Sequence, residues 1–217
     1  MTPNLLNDDG SASMATLLMM SHHAFRRDLG RLLRAVERDV SNAGLLQAEW
    51  KGLRTALHSH HTIEDTAMFP GLRKDHPETS ATIDNLAADH HRIDPLLVRG
   101  DAAFGQLARM RLAALDVLRE LIALLTPHLA AEEAEIVPHL RATKGFPPPS
   151  NDAEAVMYAQ GFAWSSHGIA PEVLARVDEM LPPLLREKLP AARDAFNHKA
   201  AQTYPYEMPL ASLTPVP

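Results

Sequence analysis

The sequence contains no cysteine and no long apolar run, and each absence excludes a class of protein. Without cysteine, its 217 residues cannot form disulfides, thiolate zinc sites, iron–sulfur clusters or a cysteine nucleophile. The apolar run at residues 15–20 is far shorter than the ~20 residues that a membrane-spanning helix needs. The first ten residues lack the basic start of a signal peptide. We therefore expect a cytoplasmic protein with no membrane partner.

Positive charge is also scarce. Lys and Arg number 21 against 27 Asp and Glu, which gives a net charge of −6, and no basic run compensates locally. Nucleic acids and anionic membranes are therefore not expected as partners, because both need a basic surface. With 46% hydrophobic and 22% charged residues, the composition is that of a folded domain. The unusual number is twelve histidines.

Strand patterns are nearly absent, whereas apolar residues recur at three- and four-residue steps along most of the chain. This periodicity predicts four long helices, at about 13–40, 45–69, 77–98 and 103–140. The expected breaks are at 41–44, Pro70-Gly71 and Gly100-Asp101, and Pro95 and Pro127 should kink or interrupt their helices. Four helices with short connections predict an all-α protein built on an up-down-up-down four-helix bundle.

The proline-rich stretch 144–151 divides the chain. We predict an N-terminal tail at 1–12, the four-helix bundle at 13–143, a linker at 144–151, and a C-terminal segment at 152–217. Helical patterns near 152–166, 171–180 and 182–203 precede a proline-rich tail. Because this last segment is short for a second domain, we expect additional helices that cap the bundle.

Two motifs place a histidine and an acid one helical turn apart: His60 with Glu64, and His128 with Glu132. Residues four apart project from the same helix face, so the imidazole and the carboxylate can reach one ion. This ligand pair suits iron, manganese or zinc.

The first and third predicted helices each carry a histidine pair, and helical phase selects one member. His22 and His90 lie on the apolar stripes of their helices, as His60 does on the second. Five further histidines are expected to face solvent: His23, His58, His61, His76 and His91. Replacing His61 should therefore leave the iron content unchanged. With a rise of ~1.5 Å per residue, the four inward histidines all lie roughly 14–20 Å from one end of an antiparallel bundle.

Packing alone explains these four histidines and two acids less well than a metal site does. One histidine on an apolar face is usually a core residue with satisfied hydrogen bonds. Four at one level, two of them with an acid one turn away, are not expected from packing, because burying two carboxylates without a cation costs several kcal/mol each. If the chain were instead a metal-free interaction protein, replacing His60 would change only stability.

These residues resemble the hemerythrin-like, or HHE cation-binding, family over about residues 13–142. The motifs are His22 in HHAFRRDL, His60-x-x-x-Glu64 with Phe69-Pro70, Asp89-His90, and His128-x-x-x-Glu132. The resemblance implies a di-iron centre inside a four-helix bundle. His22, His60, His90 and His128 would be terminal ligands, and Glu64 and Glu132 would bridge.

Two departures from the oxygen-carrying members stand out. Their third helix has His-x-x-x-His, and here the second position is Asp94. Their bridging acid lies five residues after the fourth-helix histidine, which makes Glu133 an alternative to Glu132. The resemblance therefore leaves one iron short of a ligand, to be completed by Asp94, by solvent or by His167 from the C-terminal helices.

We interpret the site as a di-iron centre, with manganese or zinc as alternatives, that reacts with O2 or H2O2 in peroxidase-like, catalase-like or oxidase chemistry. The alternative is a non-enzymatic module that binds or senses O2, NO or iron. A ferritin-like oxidase is disfavoured, because it needs Glu-x-x-His and no histidine here has an acid three residues before it. The pattern fixes neither an organic substrate nor the oligomeric state.

Overall fold

The computed structural model describes residues 5–205, and every regular element within that range is helical. The helices are α1 (Met14–Arg38), α2 (Ala43–Ile63), α3 (Phe69–Asp75), α4 (Ser80–Gly105), α5 (Arg111–Glu135), α6 (Val137–Leu140), α7 (Asp152–Ser166), α8 (Pro171–Met180) and α9 (Pro183–Thr203). A π-helical turn at Glu64–Met68 joins α2 to α3, and a 3₁₀ turn at Pro77–Thr79 precedes α4. The protein is therefore all-helical over the described range, as the sequence predicts.

The main apolar core lies among α1, α2, α4 and α5, which we call the core helices. α1 packs against α2 and α5, and α4 packs against the same two helices. Side chains from all four meet in one cluster, which includes Leu32, Leu57, Ile93 and Leu121, each almost fully buried. The functional residues discussed below lie on these same helices, so this packing positions them.

The predicted break at Pro70-Gly71 is wrong. Helical backbone continues through both residues to Asp75, after a π-helical turn in which the Phe69 N–H bonds to the carbonyl of Glu64. Pro70 has no N–H, and its ring would clash with the carbonyl four residues earlier in a regular α-helix. The wider π turn accommodates the proline without ending the helix.

The predicted break at Gly100-Asp101 is also wrong, because α4 runs on to Gly105. Gly100 packs directly under Trp50 of α2, and a Cβ there would lie only 1.9 Å from the Trp50 Cζ2 atom. The Trp50 indole N–H donates to Asp101 Oδ1 at 2.9 Å. The Gly-Asp pair therefore serves helix–helix contact and not a turn.

Consequently the fourth core helix begins at Arg111, not near residue 103. Residues 106–110 form the short connection between α4 and α5. Both α4 and α5 continue through their internal prolines, Pro95 and Pro127, so neither proline interrupts its helix.

The three C-terminal helices match their predicted positions closely. α7 packs against α9 and against α1, and its Trp164 indole N–H donates to Asp28 Oδ2 of α1 at 2.7 Å. No regular structure forms at 143–149, within the predicted linker. The proline-rich tail beyond residue 205 and residues 1–4 lie outside the described residues, and the four domain boundaries stay predictions. Within 5–205, every helix is too short or too polar to cross a membrane.

Candidate metal centre

Two groups of possible metal ligands lie side by side among the core helices. One consists of His22, His60, Glu64 and Glu132, and the other of His61, Glu64, His90 and His128. Within each group the ligand atoms lie within 4.8 Å of one another. Glu64 belongs to both groups, so the structure brings all six principal predicted residues together and adds His61.

The two carboxylates each point one oxygen toward each group. Glu64 Oε1 lies 3.0 Å from His60 Nε2, and its Oε2 lies 3.5 Å from His90 Nε2. Glu132 Oε2 lies 3.1 Å from His22 Nε2, and its Oε1 lies 3.7 Å from His128 Nε2. Both carboxylates therefore span the gap between the groups, which is the arrangement that two bridging ligands require.

The nitrogen and oxygen atoms that could bind a metal lie close to one another but lack hydrogen bonds of good geometry. Within the described part of the chain, none of these buried atoms has a hydrogen-bond partner: Nε2 of His22, His60 and His90, both ring nitrogens of His61 and His128, and both carboxylate oxygens of Glu64 and Glu132. Such atoms are costly to bury unless something else binds them. Because these potential ligand atoms come together in two groups that share Glu64, the residues present fit a pair of metal ions.

Burial keeps most of the imidazoles neutral, which is the protonation state that binds metal. Desolvation lowers the pKa of His60 to about 3 and also lowers the pKa values of His61 and His128. Desolvation raises the pKa of Glu64 to about 7. In the metal-free chain, burial therefore disfavours the ionised form of Glu64, whose negative charge a bound cation would neutralise.

His22 behaves differently from the other ligands in the metal-free chain. Burial lowers its pKa, but the adjacent carboxylates of Glu132 and Glu133 outweigh this and raise the pKa to about 9. A protonated His22 therefore partly takes the place of a cation beside Glu132. Metal binding has to displace this proton.

Three carboxylates lie behind the histidines, on the side away from the ligand groups. Glu133 Oε1 lies 3.0 Å from His22 Nδ1, and Asp65 Oδ1 lies 3.0 Å from His90 Nδ1. Asp89 is 3.6 Å from the Nδ1 of His128, beyond hydrogen-bond distance. A carboxylate that accepts from Nδ1 fixes the ring orientation and leaves Nε2 free to bind a metal.

Aromatic rings cover both ends of the centre. The fully buried Phe25 packs edge-on against His60, with ring centroids 5.1 Å apart, and Trp164 of α7 packs on the far side of Phe25 at 5.1 Å. At the opposite end, Phe69 stacks on His90 at 5.9 Å. The centre is thus enclosed by apolar surface, and the C-terminal helices contribute to one wall.

The prediction that His61 faces solvent is wrong, because its side chain is 4% exposed and lies against His90 and His128. Ile63, used to set the helical phase, is instead 62% exposed. His60 and His61 follow the buried Leu57 by three and four residues, so both can face inward. The spacing His61-x-x-Glu64, also one turn, was the available signal.

The other three predicted candidates lie outside both groups. Glu133 contacts only the rear of His22 and pairs with Arg26, so Glu132 occupies the inner position. Asp94 is solvent-exposed and lies in neither ligand group, whereas His61 lies in the group that contains His90. His167 bonds to Asn197 and Arg31 instead of approaching the centre.

Comparison with known proteins agrees with this geometry. The hemerythrin HHE cation-binding domain matches residues 13–140, which is more than half of the chain and includes every residue of the two ligand groups. No curated protein and no solved structure matches the chain. Members of the matched family bind metal, typically iron. The chain belongs to the hemerythrin HHE cation-binding family.

Proposed function

We propose that this protein is a non-haem di-iron protein that reacts with O2 or H2O2, with its core helices arranged as an up-down-up-down four-helix bundle. The observation that carries the proposal is the pair of carboxylates, Glu64 and Glu132, each with one oxygen toward each ligand group. Two bridging carboxylates have no use in a site for one ion.

The ligand set favours iron over the alternatives. Five imidazoles and two carboxylates form a mixed set that suits iron, whereas manganese prefers oxygen ligands and structural zinc sites need only four ligands. Two Fe(II) ions would carry four positive charges against two carboxylates, so the centre would retain positive charge and attract an anionic ligand. When bound, the iron pair supplies the electrons for O2 or peroxide reduction.

The two groups differ in how many ligands they offer. His61, His90 and His128 supply three imidazoles on one side, whereas His22 and His60 supply two on the other. The side with two imidazoles is therefore where a small ligand has room to bind. Phe25 and Trp164 cover that side with apolar surface, which restricts entry to small molecules and limits access of water.

The surrounding carboxylates keep protons on the correct nitrogen. Glu133 holds the proton of His22 on Nδ1 and is itself held by Arg26, whose Nη1 donates at 2.6 Å. Burial raises the pKa of Glu133, but bonds from His22 and Arg26 lower it to about 2, so it stays ionised. On the other side, Asp65 Oδ1 lies 3.0 Å from His90 Nδ1 and orients that ring.

The first test is metal content together with reaction. Protein purified without chelator, or loaded anaerobically with Fe(II), should hold about two irons per chain, gain near-ultraviolet absorbance in air, and release O2 or consume H2O2. Glu64→Ala or His128→Ala should halve the iron or remove it and abolish the reaction. His91→Ala, at an exposed position next to His90, is the matched control and should change nothing.

A second candidate function is reversible binding of O2 or NO without turnover. The enclosed apolar wall at Phe25 supports it, because a protected site also slows iron oxidation. The two functions differ in stoichiometry: a carrier or sensor reacts once per centre with H2O2, whereas an enzyme consumes many equivalents. Protein that neither contains nor takes up iron would overturn both.

A further inference from the structure

A second cluster of possible metal ligands lies outside the core-helix centre. His76, Glu78 and His139 place a ligand atom each within 4.8 Å of one another. The two imidazole rings, from segments far apart in the sequence, have centroids 4.1 Å apart. His76 Nδ1 lies 3.3 Å from Glu78 Oε1.

Local turns hold these side chains in place. After α3 ends, the carbonyl of His76 accepts both the backbone N–H of Thr79, at 3.0 Å, and its hydroxyl, at 2.8 Å. This turn, begun by Pro77, brings Glu78 back beside His76. In the segment that carries His139, Pro138 lies in the first turn of the short helix α6. The N–H of His139 donates to the carbonyl of Ile136 at 3.1 Å.

The cluster is open to solvent, unlike the buried centre. The side chains of His76 and Glu78 are 39% and 64% exposed. An ion can therefore reach them without any opening of the fold, and water can complete its coordination. Two imidazoles and one carboxylate are the ligands of open zinc sites, and the same set accepts copper or nickel.

An apolar layer separates the cluster from the buried centre. Phe69 stacks on His90. The backbone carbonyl of Leu72, in the same hydrophobic cluster as Phe69, accepts a hydrogen bond from the backbone N–H of His76. The carbonyl of Ile136, a residue fully buried in that cluster, likewise accepts from the backbone N–H of His139. An ion at the surface would therefore share no ligand with the centre, and the two sites can fill independently.

We propose that His76, Glu78 and His139 form a surface site for one divalent transition-metal ion of the zinc class. The site uses residues that the buried centre does not, and its existence does not depend on the function proposed for that centre. It gives the protein a third metal position with ready exchange, alongside two enclosed ones.

The test compares zinc stoichiometry in the full chain. After equilibrium dialysis against Zn2+, wild type should hold one more zinc per chain than His139→Ala or His76→Ala, with iron loading of the buried centre unchanged. Glu78→Gln should raise the zinc dissociation constant. His58→Ala removes an exposed histidine outside the cluster and should retain the full zinc content.

The comparison holds whether the buried centre is filled with iron or not, because the expected difference is one zinc in either state. Far-ultraviolet circular dichroism checks that each variant is folded. If His139→Ala is unstable, His76→Ala carries the test alone. Equal zinc content in wild type and the folded variants would overturn the proposal and leave only an ion pair between His76 and Glu78.

Discussion

The imidazole of His61 stacks on that of His90, with ring centroids 3.9 Å apart and planes inclined by 13°. The two residues come from α2 and α4, and both are nearly fully buried. Among the described residues, neither ring nitrogen of His61 has a hydrogen-bond partner. A buried imidazole with no partner is costly, so the position of His61 indicates a ligand and not a packing residue.

His61→Ala should therefore lower bound iron. The variant keeps His22 and His60 on the other side, so we expect it to retain about one iron instead of two. Iron and protein concentrations measured after anaerobic loading and desalting check this directly.

The matched control is His58→Ala, three residues earlier on the exposed face of α2. It should load as wild type does. Full iron occupancy in His61→Ala would exclude this histidine as a ligand and return the choice to the interpretation in which only His60 of this pair binds.

The outer carboxylates should tune affinity without binding iron themselves. Asp65 fixes the ring of His90 through Nδ1, so Asp65→Asn should weaken iron binding roughly 10- to 100-fold. Competition with a chelator of known affinity measures the change. Asp94→Asn, an exposed acid on the same helix as His90, should leave the affinity unaltered; an equal loss in both variants would indicate a general charge effect.

Much of the centre was predictable because helical spacing determines which side chains share a face. The pairs His60–Glu64 and His128–Glu132 lie one turn apart in the sequence, and the structure places both pairs in the ligand groups. The choice of Glu132 over Glu133 followed from the same spacing. The C-terminal helices were likewise found from periodicity and begin and end close to their predicted positions.

Two features are not predicted from the sequence: the burial of His61 and the continuation of α4 through Gly100. The burial of His61 is not predicted because Ile63, which sets the helical phase in the sequence analysis, is itself exposed; the one-turn spacing from His61 to Glu64 is the local signal. Gly100 was interpreted as a helix end because nothing local indicates that Trp50 packs on it. Single-sequence patterns report local spacing, and the contact between Gly100 and Trp50 is tertiary.

Glu64→Gln should stabilise the metal-free protein at high pH. Burial raises the pKa of Glu64 from 4.5 to about 7, so ionised Glu64 opposes folding, and its cost grows as the pH rises from 4.5 to 7. At pH 8 the variant should gain up to roughly 3 kcal/mol over wild type, and at pH 4 nothing.

Saturating Fe(II) should reverse this order, because wild type then gains more binding energy than the variant, about 4 kcal/mol for a site at a thousand times its dissociation constant. Urea unfolding with and without Fe(II), at pH 4 and pH 8, measures the difference in unfolding free energy between variant and wild type under each of the four conditions. A metal-free Glu64→Gln that is less stable than wild type at pH 8 would mean that the carboxylate has a structural partner.

The contact between Gly100 and Trp50 should be the most sensitive packing point between α2 and α4. Trp50 cannot move aside, because it is 1% exposed, stacks on Phe104 at 4.8 Å and bonds to Asp101. Gly100→Ala should therefore lower the free energy of unfolding by about 1–3 kcal/mol in urea, as overpacking typically does. Gly52→Ala, in α2 with no atom within 4 Å of the added Cβ, should instead gain up to about 1 kcal/mol, since alanine favours helix. Similar stabilities for the two variants would show that α2 and α4 can separate at this point without loss of folding free energy. The close approach of Trp50 to Gly100 would then not be what holds together the helices that carry His61 and His90.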